Sequence, residues 1–184
     1  MKDYLPNTIK LLKHSKLNGE RTFDQLSEDQ LFWNPEPNSN SIAIIVNHLS
    51  GNMLSRWTNF LTEDGEKDWR NRDAEFEDEI KTRKELLDRW NEGWDCFLGA
   101  LESLSESDLD KKIYIRNEAH SVVDAIQRQL AHYSSHIGQI ILLGKIQKGE
   151  EWQSLSIPKG QSAQYNQNKF DQEKKDSGHF TERI

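Results

Sequence analysis

Four stretches of this chain repeat apolar residues every three to four positions, and no two stretches alternate apolar and polar residues as paired strands do. Periodicity near 3.6 marks amphipathic helices, and several long helices without strands can bury their apolar stripes only against one another. The first stretch covers residues 4–21, with Leu5, Ile9, Leu12 and Leu17 on one side. A helix over 23–33 is weakly patterned, and Pro35 and Pro37 then impose an extended break. Ser39 or Ser41 caps a second long helix over 41–62, ending before Gly65.

A polar loop follows, with the run Asp68-Trp69-Arg70-Asn71-Arg72-Asp73. The third helix begins near Phe76 or Ile80 and reaches Leu104, burying Leu86, Leu87, Trp90, Trp94, Phe97, Leu98 and Leu101. Residues 112–116 alternate like a short strand, but a single strand without a partner reads as extended loop. The fourth helix spans about 118–148 and stops near Gly149. The expected fold class is therefore all-α, an antiparallel four-helix bundle over residues 1–158. Residues 159–184 form a polar C-terminal extension, with Asp171 to Gly178 expected to be disordered.

Composition narrows the function. A chain of 184 residues fits one domain, and its 34% apolar content makes a lean core in which six Trp and seven Phe carry much of the burial. The net charge of −7 argues against nucleic-acid and anionic-membrane partners, which need a positive field. The longest apolar runs, 42–46 and 140–143, are far too short to span a membrane. The single cysteine, Cys96, excludes an internal disulfide and points to a cytoplasmic location; it reads as a small core hydrophobe.

The sharpest chemical signal is His132-Tyr-Ser-Ser-His136. Positions i and i+4 stack on one helical face, so two imidazoles can bind one metal ion. Arg128, His132, His136 and Gln139 all fall within about 80° of one another on the helical wheel. Such a polar stripe amid Leu130, Ile137, Ile140 and Ile141 must be satisfied by something. Two histidines are too few for a zinc or nickel site with an open position. His48 on the second helix is the third candidate, with small Gly51 and Ser55 leaving room beside it and Asn52 one turn on. The bland alternative is a set of hydrogen-bonded histidines. No Glu follows His132 in the zincin manner, so that protease motif is absent. The acidic run Glu77-Asp78-Glu79 reads as a solvated helix start, and His120 as a capping or loop residue. The second helix is apolar on more than one side, which suits either a central position or a homodimer interface.

Asn47-His48-Leu49, together with Arg128-Gln129-Leu130-Ala131-His132-Tyr133-Ser134-Ser135-His136-Ile137-Gly138-Gln139-Ile140, resembles the DinB/YfiT-like superfamily of metalloenzymes, closest to a branch of unknown function. The segments from Asn38 to Leu49 and from Trp152 to Gly160 add to the likeness, which runs from about residue 5 to 168. The resemblance implies up-down-down-up topology, a divalent ion (zinc or nickel) on His48, His132 and His136, and commonly a homodimer. Relatives include thiol-S-transferases that use bacillithiol and a mycothiol-dependent isomerase, so a low-molecular-weight thiol is an implied cofactor. The expected function is a metal-dependent enzyme, transferring a thiol or hydrolysing a small-molecule substrate. In it Arg128 positions an anionic group and Gln139 orients a ligand histidine. The rival is a metal-stabilised helical binding module without turnover.

Overall fold

The computed structural model describes residues 3–174 and 179–182. Among these, helices dominate: α1 (Tyr4–Phe23), α2 (Glu28–Phe32), α3 (Ile42–Trp57), α4 (Arg83–Glu102), α5 (Val122–Lys148) and α6 (Ser162–Phe170). A two-stranded antiparallel sheet, β1 (Lys112–Ile115) and β2 (Glu118–Ser121), precedes α5. No described helix is long and apolar enough to cross a membrane.

Side-chain caps set the helix starts. Ser41 Oγ accepts from Ile44 N at 3.1 Å to open α3, and Thr82 with Glu85 forms a reciprocal capping box at α4. Ser121 caps α5, and Gly149, at φ +55°, ends it. The main packing is α3 against α4 and α1 against α5, with α1–α4 and α3–α5 contacts completing the core. A Cβ on Gly93 would stand 2.8 Å from Ser50 Cα, so the α3–α4 backbones approach as closely as glycine permits. Between the helices lie Phe23, Trp90, Trp94, Phe97 and Tyr133, several in edge-to-face pairs such as Phe23–Trp90 at 5.0 Å. Helix α3 is central, buried on every side from Ile42 to Ser50, and Ile44 is covered by the chain itself.

Three boundaries differ from the sequence expectation. The second long helix stops at Trp57, because Thr58 turns extended and Asn59 adopts φ +49°. The third begins at Arg83, where Thr82 caps it; residues Ala74–Phe76 form a separate 3-10 turn. The expected loop at 112–116 is instead a strand, paired with residues assigned to the start of the fourth helix. Its partner Glu-Ala-His-Ser has no strand-like pattern, and the pairing comes from outside it. Arg116 and Asn117 take φ +56° and +62° in a two-residue turn. The Asp64 carboxylate accepts both their backbone N–H groups at 2.8 Å. His120 accordingly lies in β2, beside Asp124. In the C-terminal extension α6 is helical and exposed. Residues 171–174 carry no helix or strand; the remainder of the segment expected to be disordered, 175–178, lies outside the described residues.

Candidate metal centre

The structure brings His48 from the middle of α3 against His132 and His136 on α5. His132 Nε2 lies 3.2 Å from His48 Nε2 and 3.1 Å from His136 Nε2. The three residues each offer one ligand atom, and these atoms all fall within 4.8 Å of one another. The rings meet edge to face, with centroids 4.8–5.3 Å apart.

Each outer ring nitrogen faces an oxygen. His48 Nδ1 donates to Glu75 Oε2 at 2.9 Å, His132 Nδ1 to Gln129 Oε1 at 3.4 Å and His136 Nδ1 to Gln139 Oε1 at 2.9 Å. An ionised carboxylate only accepts, so Glu75 fixes the proton of His48 on Nδ1. With the protons turned outward, three Nε2 lone pairs point at one small volume. Bare lone pairs 3.1–3.2 Å apart repel, and a cation placed among them removes the repulsion. Nitrogens each about 2.0–2.1 Å from one zinc ion, at angles near 100°, stand about 3.2 Å apart. The donor set thus fits a divalent ion, and the three-histidine group, with His48 buried and His132 and His136 half-buried, could hold one.

Electrostatics agree with that fit. Burial, then the charges of His136, His48, Arg56 and Arg70, pulls His132 down to about 4. Burial also lowers His136, with the Gln139 hydrogen bond opposing it and His48 adding to it. Neutral imidazoles are the form a metal binds. Burial pushes the Glu75 carboxyl upward, but hydrogen bonds from His48 and Arg70 outweigh it and hold it below the usual range.

Glu75 is the residue that sequence reasoning missed. It lies on the 3-10 turn at Ala74–Phe76, inside a charged stretch that reads as solvent-exposed, yet it is buried. Arg70 clamps it, with Nε 2.7 Å from Oε1 and Nη2 2.9 Å from Oε2. Asn47 Nδ2 holds the turn through the Glu75 carbonyl at 3.3 Å, and Phe76 stacks on the His48 ring at 4.7 Å. Gly51, expected to leave space for a metal or ligand, leaves it for Glu75: a Cβ there would sit 2.5 Å from Glu75 Oε1. A signal was available, since Gly51 lies within a turn of His48 and a buried ligand histidine needs a second partner.

The remaining candidates have distinct places. Asn52 is buried and its Oδ1 accepts from the Tyr133 hydroxyl at 3.1 Å. Arg128 lies one turn before His132 and lines a cavity with His48 and His132. Cys96 is half-buried, its thiol pushed up by burial, with Thr58 Oγ1 at 3.6 Å.

A family model described as a protein of unknown function, DUF1572, matches residues 1–161, and the chain belongs to that family. The family is grouped in the DinB/YfiT-like clan. The chain has no significant match among curated proteins or among solved structures.

Proposed function

We propose that this protein is a metal-dependent enzyme of the DinB-like type, in which His48, His132 and His136 hold a divalent ion, zinc or nickel. One observation carries the reading: three inward-facing Nε2 atoms whose outer nitrogens are all engaged by Glu75, Gln129 and Gln139. Ligand histidines in metal sites are oriented in this way by carboxylates and carbonyls behind them. A divalent ion bound there supplies Lewis acidity, lowering the pKa of a water or thiol enough to make it a nucleophile near neutral pH. The chain's own residues fix the imidazole tautomers, exclude solvent on the α3 side and leave the cavity beside Arg128 for a small-molecule substrate.

The reaction class is thiol transfer or hydrolysis, with a low-molecular-weight thiol as the co-reactant in the former. Up-down-down-up bundle topology and a homodimer complete the proposal. Exposed Leu142 and Ile146 on α5 support an association surface. Light scattering on the purified chain tests the dimer.

Metal content by mass spectrometry, on untagged protein purified without an immobilised-metal column, tests the centre. About one zinc or nickel per chain is expected, lost in His132→Ala. Full occupancy in that variant overturns the assignment.

A second reading is favoured by Glu75, which ties the 58–82 loop to α3 through His48: the ion could serve only to staple that loop. Cobalt substitution separates the two. A spectral change on adding a thiol indicates an exchangeable coordination position and favours the enzyme, whereas an inert spectrum with a large loss of thermal stability on chelation favours the staple.

A further inference from the structure

Beside the histidine cluster lies a cavity of about 270 Å³ with His48 and His132 on its wall. Five arginines line it: Arg56, Arg70, Arg72, Arg116 and Arg128. They come from four separate places, namely α3, the loop after it, the hairpin turn and α5. No run of Lys and Arg in the sequence announces them.

Only two carboxylates balance most of this charge. Glu66 accepts from both Arg56 terminal nitrogens at 3.1 Å and from Arg116 Nε at 3.0 Å. Glu75 is taken by Arg70 and His48. Arg72 reaches Asp73 only at 4.0 Å and lies over the Phe76 ring. The Arg128 side chain makes no hydrogen bond or ion pair among the described residues. Five guanidiniums against Glu66, Glu75 and the more distant Asp64 and Asp73 still leave an excess of positive charge in a chain whose net charge is −7.

Burial divides the five into two kinds. The side chains of Arg56 and Arg70 are 5% and 2% exposed and are fixed by their carboxylates and by the Gly65 carbonyl. Those of Arg72 and Arg116 are about half exposed, and Arg128 is exposed, so these three have spare donors and freedom to turn inward. Two rigid arginines behind three adjustable ones make a receptacle for a compact anion with several oxygen acceptors, since guanidinium forks match carboxylate and phosphate geometry. The cavity is too small for a polymer. The chain's overall negative charge also repels a long polyanion, so a nucleic acid is disfavoured.

We propose that this arginine-lined cavity binds a small molecule through a doubly charged anionic group, a phosphoryl group or a pair of carboxylates, and presents it to the histidine cluster. The proposal rests on the metal-centre reading for what happens next, but not for the binding itself.

Calorimetric titration of the metal-loaded protein with inorganic phosphate, malonate and acetate provides the test. Saturable binding of phosphate or malonate is expected at least about tenfold tighter than acetate, weakening as salt rises. Tighter phosphate would assign a phosphorylated substrate, and tighter malonate a dicarboxylate. Arg72→Gln with Arg128→Gln should weaken the dianion by about tenfold or more, with metal content and melting temperature unchanged. Arg128→Lys should recover part of the loss through charge alone. The metal-free His132→Ala protein should still bind the anion, which separates failure of this proposal from failure of the metal centre. Two results overturn it: no saturable dianion binding, or binding indifferent to both arginine substitutions and lost in His132→Ala.

Discussion

The Glu75 carboxylate joins His48 to Arg70: Oε2 accepts from His48 Nδ1 at 2.9 Å while Oε1 accepts from Arg70 Nε at 2.7 Å. All three side chains are buried, so the carboxylate both orients an imidazole and neutralises a guanidinium that has little contact with water. Glu75→Gln keeps the shape and removes the charge. It should lower metal affinity by about 10–100-fold in a competition titration against a chromogenic chelator. Unchanged affinity would remove Glu75 from the centre. Glu75→Ala leaves the buried Arg70 with only the Glu66 carboxylate, 3.5 Å from its Nη1, and is expected to cost up to about 3–5 kcal/mol of stability by denaturant unfolding.

Gly51 offers no metal-binding group, yet its lack of a side chain is what admits Glu75. A Cβ at this position would meet Glu75 Oε1 at 2.5 Å and Cδ at 2.8 Å. Gly51→Ala should therefore behave as a weaker copy of Glu75→Ala. A loss of about 1–3 kcal/mol is expected from overpacking, with reduced metal affinity. Alanine otherwise favours a helix interior, so a rise in melting temperature at this site would contradict the close approach.

The pH dependence of the chelator-treated protein follows from His132, held at about 4 by burial and by the neighbouring charges. Its folded value lies below the ordinary histidine value near 6.5, so the fold prefers the neutral ring. The resulting contribution is intact above that value and is lost as pH falls from 6.5 towards 4, because the unfolded chain takes up a proton that the folded one refuses. His136, also lowered, acts in the same direction. Melting temperatures measured across this window should decline, and His132→Asn should flatten the decline. An identical slope in the variant would place the titrating group elsewhere.

The hairpin turn offers a test independent of any ion. Asp64 accepts the backbone N–H groups of Arg116 and Asn117, and the Gly65 N–H donates to the Tyr114 carbonyl at 2.7 Å. Asp64→Ala should cost about 1–3 kcal/mol by leaving the turn amides without acceptors. It should also displace Arg116 from the cavity, weakening phosphate or malonate binding. Asn117→Gly, at φ +62°, should be tolerated, since glycine adopts that conformation without strain. Thermal melts of the two variants check both outcomes.

Much of the helical framework is legible along the chain because its signals are local. Leu86, Trp90, Trp94, Phe97 and Leu101 recur at helical spacing and line the buried side of α4. The pair His132 and His136 needs only one helix to bring its rings together, and Ser41 announces the start of α3 by itself. Only the first strand of the hairpin shows in the sequence, as the alternation over 112–116, and its partner does not, for the converse reason. The residues of β2 lack strand character, and what holds their turn is a carboxylate more than fifty positions earlier, since Asp64 and Asn117 are 53 residues apart.

The sequence by itself determined the four long helical segments, apart from their ends, and the placing of His132 and His136 on one helical face, because helix periodicity and i, i+4 stacking are properties of neighbouring residues. Only the tertiary structure decided what stands behind and beside those histidines. His48 and Glu75 are 27 residues apart, and His48 and His132 are 84. The five cavity arginines are scattered from position 56 to position 128 in a chain that is acidic overall. Their grouping depends on how the 58–82 loop and the hairpin close over α3 and α5, and no local pattern encodes that closure. Charge in this protein is set by three-dimensional neighbours, since a guanidinium senses carboxylates within a few ångströms whatever their distance along the chain.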